Sequence, residues 1–119
     1  MHELSVCQAL IDQLEVLARE QRAERVVSLV VGIGPLSGVE ARLLKQAYPV
    51  AAAGTLAEGS ELELEDRPIR VHCSACGEDS DATANRLLCA SCGDWHTNLV
   101  SGDELVLTRV EFVREQAYV

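Results

Sequence analysis

The sequence predicts an α+β chain: two helices and the strands of one sheet, interrupted by a small four-cysteine insert. Three observations predict it. Residues 4–21 repeat apolar side chains at three- and four-residue steps, the period of a half-buried helix. Residues 25–33 form a nearly continuous β-branched run, as in a strand covered on both faces. Cys73-Ser-Ala-Cys76-Gly77 and Cys89-Ala-Ser-Cys92-Gly93 are two Cys-x-x-Cys pairs of the same form, and strand-like segments flank them on both sides.

Taken in order, the first helix has a stripe of Cys7, Leu10, Ile11, Leu14, Leu17 and Ala18, with Asp12, Glu15, Arg19 and Glu20 largely opposite. Cys7 on that stripe reads as a small buried hydrophobe. The strand from Arg25 to Ile33 ends at Gly32, Gly34 and Pro35. Ser37-Gly-Val-Glu40 then fits a capping box, with Ser37 as N-cap of a second helix running to about Ala53. Leu43, Leu44, Ala47, Tyr48 and Ala51 are its apolar face, and Pro49 is expected to kink it or end its first part. Glu61 to Glu65 alternates Glu and Leu, a half-buried strand with a solvated acidic row. Ile69 and Val71 resume apolar positions beyond Pro68, and Asp103 to Val113 reads as a final strand with Leu105, Leu107, Val110 and Phe112 in the core. The chain thus leaves its first core near His72 and returns near Val100. This division makes residues 1–71 and 101–119 one discontinuous domain and residues 72–100 the insert.

The insert carries the strongest chemistry. A two-residue spacer lets both thiolates of a pair face one ion, and two pairs supply the four tetrahedral ligands of a closed structural Zn²⁺ site: Cys73, Cys76, Cys89 and Cys92. Two disulfides, a redox dithiol, or iron in a rubredoxin-like site are the alternatives. At about thirty residues the insert is too small to fold on apolar burial alone, and metal binding offers the missing stability.

Composition narrows the function classes. A formal charge of −9 argues against nucleic-acid binding, which gains from a positive field. No secretory signal and no apolar run of membrane-spanning length is visible, so a soluble cytoplasmic protein is expected, where clustered cysteines hold metal more often than they form disulfides. There is no phosphate loop and no catalytic triad order, so no enzymatic turnover is expected.

Met1-His2-Glu3 is a second, weaker candidate site. The first N–H groups of a helix lack intrahelical acceptors. The Met1 amine, the backbone nitrogens of His2 and Glu3, and the His2 imidazole can together form a planar nitrogen set suited to Ni²⁺ or Cu²⁺.

These blocks resemble the HypA/HybF family of hydrogenase nickel-incorporation proteins. The matching stretches are Met1-His2-Glu3, Ile33-Gly-Pro-Leu-Ser-Gly-Val-Glu40, Gly59-Ser-Glu-Leu-Glu-Leu-Glu65, the doubled cysteine pairs, and Ser101-Gly-Asp-Glu-Leu105. The resemblance implies two helices on a three-stranded sheet, with an inserted zinc-ribbon-like subdomain. It implies a metallochaperone that hands Ni²⁺ to the [NiFe]-hydrogenase large subunit with a HypB-type GTPase. Nickel would sit at Met1, His2 and Glu3, and structural zinc at Cys73, Cys76, Cys89 and Cys92. Two departures from the family stand out: Tyr48-Pro49, where relatives commonly run Phe-Glu, and Asp94-Trp95-His96, where many have small polar residues. His96 could approach nickel and His72 could tune Cys73; the plainer reading of both is a solvated surface histidine. A zinc-ribbon adaptor without a nickel role, and a rubredoxin-like electron carrier, are the competing functions.

Overall fold

The computed structural model describes residues 3–114. They form α1 (Glu3–Gln21), β1 (Ala23–Ile33), α2 (Ala41–Ala52), β2 (Glu61–Asp66), β3 (Arg70–Cys73), β4 (Asp79–Asp81), β5 (Thr97–Ser101) and β6 (Leu105–Arg114). Two three-stranded sheets result, ordered β2-β1-β6 and β4-β3-β5. The chain divides into two compact units, one of Met1–Val31, Val39–Leu64 and Leu107–Val119, the other of Gly32–Gly38 and Glu65–Val106.

In the first unit, the α1 stripe is buried at Cys7, Leu10, Ile11, Leu14 and Ala18, while Leu17 is half-buried. The helix stops where Arg22 takes a left-handed φ of 54°, and its N–H donates back to the Arg19 carbonyl. β1 is the middle strand, and its half from Leu29 onward is buried without a break, as the β-branched run implies. Val27, nearer its start, is exposed. β2 keeps the expected alternation: Leu62 is buried and Glu61, Glu63 and Glu65 face solvent.

Three expectations change. The capping box at Ser37 does not begin α2, which starts at Ala41. Gly34 to Ser37 is a turn, closed by Ser37 N–H donating to the Gly34 carbonyl, and Gly38 follows in the left-handed region. Glu40 is the N-cap, extended and without a side-chain cap of its own. Its N–H is instead taken by the Glu3 carboxylate at 3.2 Å. Pro49 does not end α2 at its own position: the helix runs on to Ala52, and Ala53 N–H donates to the Pro49 carbonyl at 3.1 Å. Leu105, Leu107, Val110 and Phe112 are only half-buried, because β6 is an outer strand.

Behind α2, Gly54 turns the chain and its N–H donates to Glu58. The Ser60 hydroxyl donates to the Ala57 carbonyl at 2.5 Å and so accepts from the buried Tyr48 hydroxyl at 2.7 Å.

In the second unit, β3 is not an extension of the first sheet. It lies between β4 and β5, with Val71 opposite Ser80 and Leu99, and His72 opposite Asp79 and Asn98. The segment Gly32–Gly38 is fastened here: Gly34 N–H donates to the Glu104 carbonyl, Leu36 N–H to Gly102, and Arg67 N–H to Ile33. Glu104 also accepts the Gly102 N–H at 2.7 Å, which holds the turn before β6 and delays that strand to Leu105.

Gly34 and Gly102 meet backbone to backbone. A Cβ at Gly34 would stand 2.1 Å from the Gly102 carbonyl oxygen, and backbone cannot yield as a side chain can. We expect Gly34→Ala to cost about 3 kcal/mol or more. Gly38→Ala, with open space around its Cβ but a φ of 79°, should cost about 1 kcal/mol. Urea unfolding of the two variants beside the parent checks the contrast; equal midpoints would mean the contact is not tight.

Candidate metal centre

Two loops of one form build the site. In the first, Gly77 N–H donates to the Cys73 carbonyl at 2.9 Å, Cys76 N–H donates to the Cys73 sulfur at 3.4 Å, and Gly77 has a φ of 78°. In the second, Gly93 N–H donates to the Cys89 carbonyl at 2.8 Å, Cys92 N–H to the Cys89 sulfur at 3.4 Å, and Gly93 has the same φ. Glycine is needed at that point because the chain must turn through left-handed space just after the second cysteine. Each loop closes with one more bond, from Cys73 N–H to the Glu78 carbonyl and from Cys89 N–H to Asp94.

Side supports hold the loops. Ser74 donates its N–H and its hydroxyl to the His96 carbonyl, at 2.9 and 2.6 Å. In the other loop, Ala90 N–H donates to the hydroxyl of Ser80, a buried polar residue of β4. Sequence reading missed Ser80, since Asp79-Ser-Asp81 carries no apolar signal of a strand; a serine hydroxyl at a fixed distance from the second pair was the only trace.

The four sulfurs all lie within 4.8 Å of one another. Cys73 Sγ and Cys92 Sγ are 3.6 Å apart, as are Cys76 Sγ and Cys89 Sγ. Tetrahedral zinc with Zn–S bonds of about 2.3 Å needs sulfurs roughly 3.8 Å apart, so the donor set fits such an ion. Cys73 and Cys89 are buried; Cys76 and Cys92 are exposed. The thiols do not ionise alike. Backbone N–H of Cys92 holds Cys89 down at about 6, with help from Ser91 and the neighbouring thiols. Cys92 is pushed up to about 12: the Asp94 N–H opposes the rise, but contact with Cys73, burial and Cys89 outweigh it. Without a cation the cluster accepts one thiolate readily and resists the next.

His72 and His96 sit on the surface, each tied to a carboxylate. His72 Nδ1 is 2.6 Å from Asp79 Oδ1. His96 meets Asp94 Oδ1 with its backbone N–H at 2.7 Å and with Nδ1 at 2.6 Å, and its ring stacks on Trp95. The backbone N–H of His96, then its ring, holds the Asp94 carboxyl below its usual range. The fifth cysteine stands apart: Cys7 is buried in α1 against the Leu44 carbonyl, and burial, then the charge of Glu3, pushes it up to about 11.

Of the second candidate site, Met1 and His2 lie outside the described residues. Glu3 is buried, and its carboxylate receives the Glu40 N–H. Among the described residues, the four cysteines are the one cluster of metal-binding side chains, and no helix is long and apolar enough to cross a membrane.

Comparison with known proteins places these features in context. Residues 1–112 match the family model described as hydrogenase/urease nickel incorporation, metallochaperone, hypA. The chain is 52% identical over 113 residues to the hydrogenase maturation factor HypA of Nitrosospira multiformis, covering 95% of this chain and 98% of that one. It is 40% identical over 111 residues to the factor of the same name from Aquifex aeolicus, covering 93% and 96%. Its fold is similar to the solution structure of the Ni metallochaperone HypA from Helicobacter pylori, with a TM-score of 0.74 and 26% identity over 97% of this chain and all of that one.

Replacing Cys76 with Ala leaves three sulfurs and an incomplete loop. We expect the variant to lose its metal and residues 72–100 to lose protection from hydrogen exchange, while the α1 core stays protected. Metal analysis with exchange mass spectrometry reads both; a stoichiometric ion in the variant would rule out a four-sulfur site.

Proposed function

The chain belongs to the HypA family of nickel-incorporation metallochaperones, and on that premise we propose that it binds Ni²⁺ at its N-terminus and delivers it to the [NiFe]-hydrogenase large subunit during maturation. The observation that carries this reading is the extent of the family match: residues 1–112 include both Met1-His2-Glu3 and all four cysteines of the cluster. Nickel is the cargo. The Met1 amine, the backbone nitrogens that follow and the His2 imidazole supply a planar nitrogen set. Glu3 contributes its backbone to that set while its carboxylate stays on the Glu40 N–H.

Zn²⁺ is the resident ion, held by Cys73, Cys76, Cys89 and Cys92. Four thiolates leave no open position for catalysis, so its part is to shape the loop pair. Labour divides between residues 1–71 with 101–119, which carry nickel, and residues 72–100, which carry zinc. The protein works in the cytoplasm without turnover of its own. Release of nickel is driven by a HypB-type GTPase, because the chain has no nucleotide motif.

Two measurements test this reading. One or two residues added ahead of Met1 turn its amine into an ordinary amide but leave the His2 imidazole in place. We expect that extension to weaken nickel binding roughly 100-fold, as severely as His2→Ala, with zinc content and melting temperature unchanged. Titration followed by the visible band of planar nickel reads it, and parent affinity in the extended chain refutes the terminal amine as a ligand. The isolated protein should also neither bind nor hydrolyse GTP, yet associate with the maturation GTPase in a pull-down from purified components. Robust hydrolysis by the pure chain would contradict the division of labour.

A further inference from the structure

β5 is an outer strand of the β4-β3-β5 sheet, and no strand lies beyond it among the described residues. Outer strands are commonly guarded by charge or Pro. Thr97-Asn-Leu-Val-Ser101 has neither, and Leu99 and Val100 are exposed. The ladder tells which of its backbone groups point outward. Cys73 N–H donates to the Glu78 carbonyl and Ala82 N–H to Ile69, so the odd-numbered residues of β3 bond toward β4. The even-numbered ones bond toward β5, as Ser74 N–H, just past the strand, does to the His96 carbonyl. Val71 is odd and stands opposite Leu99, so both backbone groups of Leu99 face the open edge. So does the Thr97 carbonyl, opposite Cys73, while the Thr97 N–H turns back to Trp95. Val100 is an extra residue where the register shifts, and that bulge ends the open stretch. Trp95 heads the strand and is 71% exposed. One face of its ring stacks on His96, whose carbonyl is held by Ser74 and whose ring meets Asp94. The indole is thus fixed, with its other face in solvent.

We propose that this edge takes an extended segment of a partner protein, paired antiparallel with β5, with a basic side chain set against Trp95. The residue opposite Leu99 exchanges two main-chain bonds with it, and the residue two further along donates to the Thr97 carbonyl. So short a ladder, open to water, is a weak hold, and side chains select the partner. The residue opposite Leu99 shares its face, which favours an apolar side chain. About four residues on, the segment passes Trp95. There the open ring face and the Asp94 carboxylate favour Arg or Lys. The surrounding charge agrees. The second unit has no lysine, and of its arginines Arg70 is paired with Asp81 and Arg67 lies beside Glu104. Asp94 and Asp103 stand on either side of the strand in sequence. An acidic segment is therefore disfavoured. So is β5 of a second copy, since pairing centred on Leu99 sets Asp94 against Glu104 of the second copy.

The probe is the synthetic peptide acetyl-Thr-Val-Thr-Thr-Thr-Arg-amide, titrated into the full, metal-loaded chain. Trp95 is the sole tryptophan, so its fluorescence reads the aromatic contact, and the Leu99 amide resonance reads the pairing. Both should saturate together. Methylating the Val nitrogen of the peptide removes the donor aimed at Leu99 and should weaken binding about tenfold or more. Methylating the next nitrogen, which points away from β5, should change it by about twofold at most. Replacing the peptide's Arg by Glu should weaken binding roughly tenfold. Trp95→Ala, followed through Leu99, should do the same with metal content and circular dichroism unchanged. The peptide series needs no altered protein and stays decisive if that variant is unstable. No saturable change up to about 10 mM peptide overturns the proposal. So does equal binding of the two methylated peptides, or equal binding of the Glu peptide. An apparent affinity that falls as the protein is concentrated also overturns it, because a second copy would then hold the edge.

Discussion

Four sulfurs held within 4.8 Å of one another cannot all carry charge unless a cation sits among them. Much of the second unit follows from that constraint. Its strands are short, three to five residues in β3, β4 and β5, and its apolar burial is small. Of its buried side chains, Cys73 and Cys89 are themselves members of the cluster, and Ile69 and Val71 are their main apolar neighbours in sequence. A core of that size does not offset the entropy of ordering the loops. The hydrogen bonds from Ser74 to His96 and from Ala90 to Ser80 shape the loops, but shape is useful only if the repulsion between the sulfurs is cancelled.

The first unit rests on a different footing. Ile11, Leu14, Leu29, Val31 and Leu44 are almost wholly removed from water, and no ion is needed to bring them together. Its link to the proposed cargo site runs through Glu3. That carboxylate takes the first N–H ahead of α2, so the opening turn of α1 is positioned by the second helix as well as by its own backbone. A side chain from a distant part of the chain has taken the place a local serine was expected to fill.

Elements whose burial repeats with a clear period were legible from sequence: the α1 stripe, the covered half of β1, the alternation of β2, and the cysteine pairs with their glycines. The failures share a physical cause. Ser37 has the residues of a cap, but Gly34 and Leu36 are bonded to Glu104 and Gly102, so the segment is committed elsewhere before a helix can start there. Pro49 lies three residues before the end of α2 and does not stop it short. β4 is recruited by pairing with β3 and not by its own composition, and β6 is apolar in sequence yet half-exposed because it is last in its sheet. The misses at Ser37, β4 and β6 depend on partners far away in the chain, which local pattern does not contain.

Each loop of the metal centre buries its first cysteine and exposes its second. A chelator or oxidant arriving from solvent therefore reaches Cys76 and Cys92 before Cys73 and Cys89. Those two outer sulfurs belong to different loops, and each contacts the buried sulfur of the other. Attack on one loosens a single arm while the remaining three keep their hold, and recapture by the intact loop competes with escape. A metal held by the four sulfurs would for that reason leave stepwise, with the buried inner pair letting go last.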